Sequence, residues 1–245
     1  MMDLGFLIAT VAVAFIAGAI ASISGFGIGS LLTPLFAWRV ETRLAVAAVS
    51  IPHFLATAFR FWLLRDKVDR KLLWSFGLMS AAGGLTGAVL SSYAGSPVLS
   101  YLFGGLLVFT GCMGLTGLSQ KLRFHGAVAW AAGFLSGLLG GLVGNQGGIR
   151  SAAMLGFNVP RDAFIATATM VGLIVDGARL PVYLFSQGSK IAALWPVLAA
   201  ATLGAVAGTA IGERTLRRIP EPIYHKVVSA LVLILGVSML LKSTH

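Results

Sequence analysis

The chain has 245 residues, 57% of them hydrophobic and 11% charged, with 31 glycines and a mean hydropathy of +0.91. A soluble domain carries roughly 25% charged residues and about 7% glycine, so a soluble globular fold is excluded, and at roughly 20 residues per crossing the length leaves no room for a separate soluble domain. The formal charge of +10, from 18 Lys and Arg against 8 acids, falls mostly between apolar runs. It therefore signals topology rather than a nucleic-acid face.

The first apolar segment, near 4–37, would run about 50 Å as one helix against a hydrocarbon core of about 30 Å. It carries a glycine cluster, Ser24-Gly-Phe-Gly-Ile-Gly-Ser30, followed by Thr33 and Pro34, and is expected to break there and turn back. Met1 to Phe6 lacks the basic start of a signal peptide, so this segment is expected to be retained. Segments near 44–64, 72–92 and 97–118 follow, the second of the four holding Pro52, His53 and Arg60. The fourth contains Cys112, the only cysteine, which excludes an internal disulfide and a Cys-based metal site.

Four more segments lie near 127–157, 163–184, 191–212 and 224–241. They repeat the first four. At an offset of 119, Gly25 matches Gly144, Gly29 matches Gly148, Ala47 matches Ala166 and Arg60 matches Arg179; at 121, Trp74 matches Trp195, Gly83 matches Gly204 and Gly87 matches Gly208; at 125, Pro97 matches Pro222 and Gly111 matches Gly236. Residues 1–120 and 121–245 thus read as two transmembrane repeats of one membrane domain. The fifth segment is again overlong and glycine-broken, with Gly144-Asn-Gln-Gly-Gly-Ile-Arg150, and the sixth holds Asp176 and Arg179.

If all eight segments simply cross, loop Lys and Arg divide 8 to 7, which orients nothing. If each broken segment returns to its own side, Arg65, Lys67, Arg70, Lys71, Lys121, Arg123, Arg161, Arg214, Arg217, Arg218 and Lys226 fall inside. Only Arg39, Arg43, Lys190 and Lys242 fall outside, a division of 11 to 4. Each half then crosses three times, so the second is inverted. The fold class is an all-α polytopic membrane protein of two inverted-topology repeats, with both chain ends outside.

A backbone break inside a membrane is tolerated only in protein or beside a watery cavity, so the two turns are the leading site candidates. Close helix packing is the other use of such glycines. The short helix after each turn would aim its positive end at the membrane interior, an anion-binding arrangement. The candidate ligands are Ser24, Gly25, Gly27, Gly29, Ser30 and Thr33 in the first turn, and Gly144, Asn145, Gln146, Gly147, Gly148 and Arg150 in the second. The interior ionisable residues are His53, Arg60, Arg150, Asp176 and Arg179. Three arginines against one aspartate favour an anionic cargo.

Arg60 and Arg179 either snorkel to opposite interfaces or form a symmetric pair of gates. Asp176 and Arg179, three apart, share a helical face and are expected to pair. His53 is either a packing residue or a proton-coupling or anion-contacting group. Arg150 is expected to hold the anion, with an ion pair to Asp176 as its structural alternative. Neither glycine cluster has a Walker lysine or the strand context of a dinucleotide turn, and there is no H-E-x-x-H. One interior carboxylate makes no aspartyl dyad, and neither Ser24-Gly25 nor Ser136-Gly137 has the preceding glycine of a G-x-S-G turn. An enzyme is not expected.

The residues resemble the sulfite exporter TauE/SafE family of bacterial membrane permeases over essentially the full length. The resemblance rests on the duplicated halves, the motif Gly25-Phe-Gly-Ile-Gly-Ser-Leu-Leu-Thr-Pro34-Leu, and the second glycine-rich motif. The second departs from the family pattern: Ala153 stands where the matching proline would be, and Gln146 and Arg150 stand where small or apolar residues are usual. The resemblance implies transport of sulfite, a sulfonate or another small sulfur-containing or organic anion across the bacterial inner membrane, in either direction. The expected partners are that anion and the lipid bilayer, with no nucleic acid, no metal and no cofactor. A coupling ion, H⁺ or Na⁺, is left open. A passive anion channel and a non-transporting membrane assembly component are the alternatives.

Overall fold

The first helix starts on a side-chain cap, Asp3 Oδ1 accepting the Phe6 N–H at 2.7 Å, which satisfies a donor that a helix start leaves without a carbonyl. This helix, α1 (Leu4–Ser24), ends at Gly25, whose φ of 78° is the left-handed conformation that glycine adopts without strain. Gly27, at φ 136°, then turns the chain into α2 (Ile28–Ala37). The structure is a computed structural model and describes residues 3–25, 27–118, 126–144, 147, 150, 154, 160–216 and 221–243. Among these, every regular element is helical.

Helix α2 runs back along α1. Gly27 packs on Ala17 and Ile20, the Phe36 ring meets Phe6 edge-on at 5.8 Å, and Arg39 pairs with Asp3 at 2.9 Å. The first segment is therefore a broken hairpin, as its length and glycines predict. Helix α3 (Thr42–Leu64) crosses next and leads through a 3-10 turn (Arg65–Lys67) to α4 (Arg70–Leu72). A π turn (Leu73–Gly77) joins α4 to α5 (Leu78–Tyr93), and α6 (Ser96–Leu115) follows. The later helices are α7 (Gly126–Val143), α8 (Arg161–Ala192), α9 (Trp195–Leu216) and α10 (Glu221–Ser243).

Helix α7 ends as α1 does, at a left-handed glycine, Gly144 with φ 76°. Helix α8 is longer than its apolar span. It continues through Ser186-Gln-Gly-Ser-Lys190 to Ala192, because polar residues end an apolar stretch without ending a helix, and nothing in that run removes a backbone donor. Among the described residues, α1, α3, α6, α7, α8 and α9 are long and apolar enough to cross a membrane.

Glycines set the pairing of the helices. Gly204, Gly208 and Gly212 of α9 lie against Val11, Phe15 and Ala19 of α1, so these two helices run parallel. Gly83 and Gly87 of α5 lie against Phe134 and Leu138 of α7, again parallel. Helices α6 and α10 are antiparallel, Gly104 meeting Leu240 and Gly111 meeting Leu233. So are α3 and α8, joined near one end by Lys67 to Asp162 at 2.6 Å and near their middle by His53 to Asp176. Such stripes let backbones approach where lipid gives no hydrophobic drive to association. Gly208→Leu, with its side chain aimed at the Phe15 carbonyl, should lower thermal stability in detergent by about 1–3 kcal/mol or more. Gly105→Leu, which faces open space, should leave stability unchanged.

The contacts also sort the loops. Asp3, Arg39, Arg43 with its bond to Ser92 O, and Lys242 with its bond to Ala37 O gather at one face. Lys67, Asp69 with its bond to Thr167, and Asp162 gather at the other. Exposed Trp38, Tyr93 and Trp195 ring the first face, and Trp62, Trp74 and Trp130 the second, the belt positions of a membrane protein. Arg39, Arg43 and Lys242 accordingly share a face, opposite Arg65, Lys67, Arg70 and Lys71.

Candidate functional site

The two breaks meet inside the bundle. A Cβ at Gly29, in the first turn of α2, would strike the Gly144 carbonyl oxygen at the end of α7, so only glycine permits this approach. One turn along α2, the buried Thr33 hydroxyl lies 3.8 Å from the Cβ position of Gly144 and has no hydrogen-bond partner among the described residues. The N–H groups of Gly25 and Gly144 close their own turns onto Ala21 O and Gly140 O, each at 2.9 Å. These bonds close the helix ends at both breaks. The N–H groups of Ile28 and Gly29, at the start of α2, are the ones with no carbonyl a turn earlier to accept them.

Arg60 and Arg179 do not reach the interfaces. Both are buried, at 4% and 2% exposure. Arg60 donates through Nη1 to Ala21 O and through Nη2 to Gly25 O at 3.3 Å; Arg179 donates through Nη1 to Gly140 O at 2.5 Å. Each guanidinium thus sits on the carbonyl end of the helix that stops at a break, where the macrodipole is negative. Snorkelling is corrected to capping, and the reason is geometric: the helix ends that need a cation lie inside the protein.

Asp176 is the hub of a buried network. Its Oδ1 accepts from Arg179 Nε at 3.0 Å and Nη2 at 2.7 Å, as their spacing predicts. Its Oδ2 lies 2.5 Å from His53 Nδ1, across the α3–α8 contact. Tyr183, one turn beyond Arg179, donates to Gly141 O and sets its ring 5.7 Å from the guanidinium.

Arg150 is 2% exposed and among the described residues makes one hydrogen bond, from Nη2 to Gly25 O at 3.2 Å. Its Nε and Nη1 are buried without partners among the described residues. It does not pair with Asp176. Its Nη1 occupies the notch above Gly172, 2.9 Å from where a Cβ would stand.

Of the other candidates, Ser24 turns its hydroxyl back to Ile20 O at 2.9 Å, Ser30 is buried in the first turn of α2, and Gly147 is buried and helical. Asn145, Gln146 and Gly148 lie outside the described residues. Sequence reasoning missed Gly172, Thr57 and Tyr183. A signal existed for two of them: at the offset of 119, Gly172 stands where the other half has His53, and Thr57 stands where it has Asp176. The Thr57 hydroxyl is buried and unpartnered. Among the described residues, no group of three His, Cys, Asp or Glu side chains is arranged to hold a metal.

Comparison with known proteins agrees with this architecture. No curated protein and no solved structure matches the chain. The family described as sulfite exporter TauE/SafE matches residues 10–239, which cover the first break, the α3–α8 pair and the second break. The chain is a multi-pass membrane protein that belongs to the sulfite exporter TauE/SafE family.

Proposed function

We propose that the protein carries a small oxyanion, sulfite, a sulfonate or a related sulfur-containing or organic anion, through the bacterial inner membrane by alternating access. The observation that carries this reading is the buried Arg150 guanidinium with two donor nitrogens that have no partner among the described residues. A buried cation lacking partners costs several kcal/mol, and a planar fork of N–H groups matches the oxygens of a carboxylate, sulfite or sulfonate. The start of α2 and the Thr33 hydroxyl supply further donors at the same junction of the breaks. An anion there completes what the fold leaves incomplete.

The movement follows from the helix pairing. Exchanging the halves takes the α1–α9 pair into α7–α5, both parallel, and takes α3–α8 and α6–α10 into themselves, both antiparallel. That is the behaviour of repeats related by a two-fold axis in the membrane plane. The equivalent contacts are Gly83 on Phe134 and Gly208 on Phe15, an offset of 125 for the third segments in place of the 121 read from the sequence. Rocking of the paired halves would expose the junction to each side in turn. The arginine-rich face of Arg65, Lys67, Arg70 and Lys71 is the cytoplasmic one in this reading.

The test is flux into liposomes that hold the purified protein. Sulfite, sulfonates or carboxylates should move saturably while Na⁺ and K⁺ do not; cation flux with anions inert would end the proposal. Gly172→Ala should weaken anion affinity about tenfold, roughly 1.4 kcal/mol, because its methyl group displaces Arg150 Nη1, and it should leave thermal stability near wild type. An unchanged dissociation constant for this variant would remove the Gly172 notch from the site.

A further inference from the structure

We propose that His53 binds a proton that travels with the anion, so that the protein couples anion movement to the proton gradient. This rests on the transporter reading above. Among the described residues, the buried titratable groups are His53, Arg60, Arg150, Asp176, Arg179 and Tyr183. The arginines stay charged at any working pH, and Tyr183 is held by the Gly141 carbonyl. Asp176 is fully enclosed, with Oδ1 taken by Arg179 and Oδ2 by His53. His53 is the one whose ring has both a neutral and a cationic form available to a carried proton.

Its position suits that task. Nδ1 is tied to Asp176, while Nε2 has no hydrogen-bond partner among the described residues and the side chain keeps 9% exposure. The neutral imidazole donates Nδ1–H to the carboxylate. A proton arriving at Nε2 leaves that bond in place and turns the ring into an imidazolium, with no other bond made or broken. The charge it adds lies near the anion's place: Arg150 Nη1 fills the notch above Gly172, and Asp176 follows Gly172 by four residues, about one turn or 5.4 Å along the same face of α8.

The charge count gives the direction of coupling. Arg60 and Arg179 each face the negative end of a helix, and Asp176 is bound by Arg179. Arg150 remains as the charge for a singly charged anion. A second negative charge is matched only when His53 is protonated. Proton and anion therefore raise each other's affinity, and by linkage the effect is equal in both directions. The contact between His53 and Asp176 also joins α3 to α8, so the protonated ring is one partner of a bond that spans the two halves of the chain.

The experiment uses wild-type protein and His53→Gln in liposomes with a trapped pH-sensitive dye. The probe is labelled sulfate, which keeps two negative charges near neutral pH. Glutamine keeps a donor for Asp176 and cannot take a proton. Wild type should acidify the lumen as the anion enters, and its affinity should fall as pH rises, by at most about tenfold per pH unit, the limit for one linked proton. His53→Gln should show pH-independent affinity and no proton movement. Anion entry into wild-type vesicles without a dye signal overturns the coupling and leaves the transporter reading standing; this arm needs no variant. A His53→Gln affinity that keeps the wild-type pH slope overturns it too. If no anion of the wider panel moves, both readings fall.

Discussion

Arg150→Gln should lose anion binding and keep its fold. Removing one partner of a buried, hydrogen-bonded charge pair costs about 2–5 kcal/mol of binding, a loss of roughly 30-fold or more. The effect on the unliganded protein has the opposite sign. Wild-type Arg150 is 2% exposed with one carbonyl partner, so replacing it by a neutral amide removes an uncompensated buried charge. Thermal unfolding in detergent should therefore show unliganded Arg150→Gln at least as stable as wild type, with no upward shift on adding anion. If Arg150 serves the fold instead, the variant should be less stable and the anion-dependent shift should persist.

Arg179→Leu should have the largest effect on stability. It leaves Asp176 Oδ1 without either guanidinium bond and takes one of two donors from Gly140 O, and stranding a buried carboxylate in this way costs about 3–5 kcal/mol. The same change at the matching position should be milder. Arg60→Leu removes one donor each from the carbonyls of Ala21 and Gly25, and Thr57 stands where the other half has Asp176. A cost of about 1–3 kcal/mol follows for the lost hydrogen bonds. Thermal or denaturant unfolding of the two variants side by side measures the difference; equal losses would mean that Asp176 does not depend on Arg179.

These two residues also show what a sequence reveals and what it hides. The breaks are legible because a segment of 34 residues is too long for the membrane and its glycines say where it turns. The Asp176–Arg179 pair is legible because three residues on a helix are neighbours. The acceptors of Arg60 and Arg179 are not, because they are backbone carbonyls, which leave no mark in the residue pattern. His53 and Asp176 are 123 residues apart, and no local periodicity links them. In the proposed repeat, sequence matches set the third segments at an offset of 121 and the glycine contacts at 125, and a slip of four residues, about one helical turn, keeps the same face of a helix toward its partner. The apolar segment 163–184 is shorter than α8, Arg161–Ala192, because hydropathy measures the membrane and not the helix.

The most direct test of a carrier with one anion site between the breaks is counterflow. Liposomes containing the protein are loaded with unlabelled substrate anion and diluted into a trace of the same anion carrying a label, with no pH difference and no membrane potential. The label should rise transiently above its equilibrium level inside, should saturate with concentration, and should show no such overshoot in Arg150→Gln. Uptake that increases linearly with concentration and never overshoots would contradict alternating access and describe a channel.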